Sequence, residues 1–163
     1  MRAALLLAAL AAGGPAELIE RGGLELRLPV GWGESAPPRT VHGAVTVTLG
    51  PREGAGFELL LSVLPARPGG VDTRALVEQQ GRRLLSSSVE RSLAVQELRG
   101  AHGAGHYFAL RDRAPGPGEF EYILQGLAVY GRREVSFTLL TRTADGPERP
   151  ALLELLRGAR PRD

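Results

Sequence analysis

A chain of 163 residues holds one domain with a real core and is too short for two. Hydrophobic residues make up 43% and charged residues 23%, which excludes wholesale disorder, while 22 glycines and 12 prolines point to short strands and turns rather than a helical bundle. The formal net charge is only +2, with 20 basic residues scattered among 18 acids, so the clustered basic face that nucleic acid needs is not there, and the lack of cysteine excludes disulfides, thiolate zinc sites and a cysteine nucleophile.

All the basic residues are arginine, and asparagine is absent as well as lysine. Such usage is expected of a GC-rich bacterial genome, so the isoelectric point near 9.6 reflects codon bias before function.

Residues 1–16, MRAALLLAALAAGGPA, have the pattern of a signal peptide. Arg2 supplies the positive start, Ala3 to Ala12 form an uncharged apolar run, and small residues permit cleavage after Ala16 or after Ala11. The run is about ten residues, and a bilayer needs about 20. The alternative, a buried first helix of a cytosolic protein, is disfavoured because the stretch has no polar face. The expected location is therefore periplasmic or secreted, with residues 17–163 as a single mature domain.

Residues 24–28, LELRL, alternate strictly and predict a half-buried strand, ending at Pro29-Val30-Gly31-Trp32. Glu34 to Arg39 reads as a loop because of Pro37-Pro38. Residues 44–49 predict a strand with Val45, Val47 and Leu49 inward and the threonines outward. Residues 57–64 predict another, apolar on both faces around Leu60 and Leu64, as for a mid-sheet strand covered on both sides. Asp72 is placed to cap a helix over 73–86, with Leu76, Val77, Leu84 and Leu85 on one side.

Four strand-like segments follow. They are residues 92–98; residues 104–111, with Ala104, His106, Phe108 and Leu110 on one face; residues 119–130, with a bend or bulge expected at Gly126; and residues 134–141, with Val135, Phe137 and Leu139 inward. Pro150 then opens a helix that Gly158 ends. The order β-β-β-α-β-β-β-β-α predicts an α+β fold: an antiparallel β-sheet of about six to seven strands flanked by helices.

This order, with the turn Leu28-Pro29-Val30-Gly31-Trp32, the helix introduced by Asp72-Thr73, and the strand opening at Gly103-Ala104-Gly105-His106-Tyr107, resembles the superfamily of the photosystem PsbP proteins, the Ran-binding Mog protein and the bacterial DcrB-type envelope proteins. The likeness spans most of residues 24–157. It implies an α/β/α sandwich and a non-enzymatic accessory or adaptor role. A cytosolic branch of chaperones for the transmembrane segments of type VI secretion effectors is similar too, but has no leader.

Reactive constellations are sparse. His102 and His106 lie about 13 Å apart on an extended strand, too far for one metal unless the glycines fold the chain back toward Glu119 or Glu121. Ser86-Ser87-Ser88 sits at a helix end without a nucleophile elbow. Gln125 shares a face with Ile123, Leu127 and Val129, and a buried amide needs a partner, so it is a candidate ligand contact. Trp32 and His106 are the other candidates, and Arg132-Arg133 reads as a solvated hairpin tip.

No catalytic residue, metal or cofactor is expected. The reading is an exported, non-catalytic binding protein whose partner is another protein or a small apolar ligand. A cytosolic effector chaperone and an unrecognised hydrolase or metal enzyme are the alternatives.

Overall fold

The computed structural model describes residues 16–162, so the leader and both cleavage positions read within it lie outside the described residues, apart from Ala16. In chain order the elements are β1 (Leu18–Arg21), β2 (Leu24–Arg27), β3 (Trp32–Val41), β4 (Ala44–Pro51), β5 (Phe57–Pro65), α1 (Thr73–Leu85), β6 (Gln96–Arg99), β7 (Gly103–Arg111), β8 (Tyr122–Tyr130), β9 (Arg133–Thr141), α2 (Glu148–Gly158) and β10 (Arg160–Pro161). Seven strands form one antiparallel sheet in the order β3-β4-β5-β9-β8-β7-β6, and a small sheet runs β1-β2-β10. The fold is α+β, as the element order predicts.

Alternation along the strands sorts side chains onto two faces. On the first face Val47, Leu49, Leu59, Leu61, Val63, Val135, Phe137 and Leu139 are buried together with Leu24, Leu26 and Leu28 of the small sheet and Leu152, Leu155 and Leu156 of α2. Each fully buried leucine contributes about 1.5–3 kcal/mol, so this layer dominates stability. On the second face, α1 lies against β7 and β8 and buries Val77 on Phe108, Leu110 and Leu127. Its cap is the expected one: the Asp72 carboxylate accepts the Ala75 N–H at 3.0 Å.

The Pro29–Trp32 turn is also as read. Trp32 N–H donates to the Pro29 carbonyl at 3.1 Å, and Gly31 sits at φ +83°, the left-handed position a type II turn requires.

Five expectations change. The loop read at 34–39 is part of β3, with register shifts between Glu34 and Ala36 and between Ala36 and Arg39. Two prolines are tolerated because β3 is a sheet edge whose outward groups need no strand partner. The strand read at 92–98 is paired only over Gln96–Arg99, since Leu93 and Val95 pack under α1 instead. The strand read from 119 starts at Tyr122.

Gly126 makes no bulge, because the β7–β8 and β8–β9 registers run through it unbroken. A Cβ there would lie 2.3 Å from the Phe137 ring, so the glycine makes room for that ring. Lastly, β5 is mid-sheet as expected, but only its first face is covered by another layer.

Candidate binding face

The second face is only half covered. Where α1 stops, β9, β5 and β4 continue with Ser136, Thr138 and Leu140, then Leu60, Ser62 and Leu64, then Thr46 and Thr48, all half-buried. Among the described residues no helix is laid across these strands on this side: α1 packs on β7 and β8, and α2 on β2, β6 and β9 from the opposite face.

The rows run across the strands in register. Gln125, Thr138, Leu60 and Thr48 make one, and Leu127, Ser136, Ser62 and Thr46 the next. Thr46 and Ser62 satisfy each other through a 2.7 Å hydroxyl pair. Two strand spacings separate β9 from β4, about 10 Å, which is the diameter of one helix. The floor is thus a mixture of leucine with small hydroxyl side chains, bordered in register by Glu58 beside Leu140 and by the buried Glu134 beside Leu64.

Gln125 stands at the boundary between the covered and open halves. It is half-buried on β8, between Phe108 on β7 and Thr138 on β9. On α1, the Oε1 atom of Gln80 is buried with no hydrogen-bond partner among the described residues.

His106 is on the same sheet face, and its Nδ1 lies 2.8 Å from the Thr73 hydroxyl in the first turn of α1. Its cross-strand neighbour Glu97 is held below the usual carboxylate range by the Arg99 guanidinium. Trp32 is elsewhere: 7% exposed, it packs its ring 4.4 Å from Phe57 in the first-face core, leaving little indole for a partner.

The other residues singled out do not converge. His102 is exposed in the turn before β7, and His42 in the β3–β4 turn. Glu121 pairs with Arg111, and Glu119 accepts the Gly116 N–H. Among the described residues no three His, Asp or Glu side chains gather as metal ligands would. Ser87 and Ser88 bond back to Leu84 and Leu85, closing the end of α1.

Two buried polar groups escaped the sequence reading. Glu134, 2% exposed, accepts the Arg67 N–H at 2.8 Å and pairs with the Arg67 guanidinium, pinning the loop after β5. Tyr130 is 1% exposed, and burial pushes its phenol well above the ordinary value.

No family model matches the chain, and no curated protein matches it. A solved structure from Bacteroides thetaiotaomicron VPI-5482 is similar, with 14% identity and a TM-score of 0.49. The match covers 91% of this chain and 49% of that one, so this chain spans about half its length.

Proposed function

We propose that this protein is an exported, non-catalytic accessory or binding protein of the bacterial cell envelope, of the PsbP/DcrB-like kind, which engages a protein or a small apolar ligand through the open half of its sheet. One observation carries the reading. Leu60, Leu64 and Leu140 are held on a strand surface over which no helix is laid among the described residues, while the leucines on the reverse of the same strands are fully buried. Scattered exposed apolar residues need no explanation, but three on adjoining strands form a candidate surface. The apolar leader at residues 1–16 supports export.

The test has two arms on the full chain expressed in a Gram-negative host. Fractionation with N-terminal sequencing is expected to find a periplasmic product starting at Glu17 or Ala12; an intact N-terminus in the cytosol removes the export half of the proposal. A photoreactive side chain at Thr138 is expected to give a discrete adduct that the same group at exposed Arg91 does not. Identical labelling at both sites removes the binding face.

A further inference from the structure

Three segments far apart in sequence close around a cleft of about 950 Å³: the loop from Pro65 to Gly70, the β8–β9 turn at Gly131 to Arg133, and Pro161-Arg162 at the C-terminal end. Backbone bonds tie the first two to each other and the third to the β1–β2 turn. Ala66 N–H donates to the Arg132 carbonyl at 2.9 Å, and Arg162 N–H donates to the Gly23 carbonyl at 2.9 Å.

Among the described residues the cleft is lined by Arg67, Arg132, Arg133 and Arg162 and by no acid. Arg67 is paired with Glu134 at 3.1 Å, and Arg162 with Glu25, so each has a fixed place on the wall. Among the described residues, Arg132 and Arg133 have no carboxylate within ion-pair distance. Arg133 is nonetheless half-buried, its guanidinium set against Gly23, where an added Cβ would lie 2.5 Å from Nη2. A guanidinium that is partly desolvated and has no carboxylate partner among the described residues is suited to receive an anion.

We propose that this cleft binds a phosphate group carried on an organic molecule. Among the described residues two of the four arginines, Arg132 and Arg133, have no carboxylate partner, and the planar guanidinium fork matches phosphate oxygens two at a time. Val129, Pro65, Pro68 and Pro161 supply an apolar wall for the rest of the ligand. Leu60, Leu64, Thr138 and Leu140 are not among its lining residues, so this site and the sheet face stand or fall separately.

Calorimetric titration with glycerol 3-phosphate, and sedimentation with phosphatidylcholine vesicles with and without phosphatidic acid, test the two forms in which such a phosphate is met. Binding is expected in at least one arm. The soluble arm alone assigns a small phosphoester, the vesicle arm alone a lipid headgroup, and both together the phosphate itself. The double variant R132A/R133A is expected to weaken binding by about tenfold or more, as loss of charge-assisted hydrogen bonds implies. The variant R39A/R91A, which removes the same charge from exposed sites elsewhere, is expected to bind as the wild type does. Should the double variant fold poorly, R132A alone, at the exposed tip, is expected to show the same direction of loss. No binding in either arm, equal loss in R39A/R91A, or equal affinity for succinate would overturn the proposal.

Discussion

The phenol of Tyr130 donates a hydrogen bond of 2.7 Å to the Leu156 carbonyl, tying the last turn of α2 to the end of β8. This carbonyl also accepts the Ala159 N–H at 3.3 Å, so the sheet residue adds a second partner at the end of the helix. Y130F keeps the ring and removes the donor. The expected cost is about 1 kcal/mol, read as a melting temperature about 2–4 °C lower.

The same residue is expected to make stability fall with pH in the alkaline range. Burial raises the Tyr130 pKa in the folded chain above the ordinary 10.0. Below pH 10 both states hold the proton and nothing changes. Above it, the unfolded chain releases the proton first, so stability falls as pH rises, by about 1.4 kcal/mol per unit. With no lysine in the chain, few other side chains titrate in that range. Chemical denaturation of wild type and Y130F between pH 9 and 11.5 (about the working range for phenols) is expected to show a steeper decline in the wild type.

At Gly126 a methyl group has nowhere to go. Its Cβ would meet Phe137 at 2.3 Å and the His106 carbonyl at 2.5 Å, and the second of these is backbone. G126A is expected to destabilise by about 1–3 kcal/mol through overpacking. Urea unfolding measures it, and a neutral result would mean that the β7–β8–β9 registers yield more easily than their unbroken pairing implies.

Asp72 is a cap with a single task. D72A removes the acceptor for the Ala75 N–H and is expected to cost about 1 kcal/mol. Amide exchange should quicken first in residues 73–76, which lead into the Thr73–His106 contact.

Much of the fold was legible where one physical rule acted alone. Strict alternation placed β2, β4 and β9, and Asp72 and Gly31 announced their cap and turn. Misreadings came where position in the sheet overrode local chemistry. Pro37-Pro38 forbids a central strand but not an edge, and adjacency to an edge is not written locally. The strands β1 and β10 are too short to show a period and exist by pairing with β2. Gly126 suggests a bend or bulge from sequence, and only the fold shows that it instead makes room for the Phe137 ring.

The candidate face was half visible. The outward threonines of β4 are in the alternation, but Leu60 and Leu64 looked like a strand covered on both sides. Residues that meet only through long-range pairing, Arg67 with Arg132 and Arg162 among them, left no local sign at all.

The kinked edge at β3 has a consequence for self-association. Two register shifts and a proline pair interrupt the row of outward amides there, and at the far side β6 offers only four residues. Neither border can template a further strand well, so copies of this protein have no easy route to ribbons or fibrils even at high concentration. Edge-to-edge pairing through the seven-stranded sheet is discouraged on both sides.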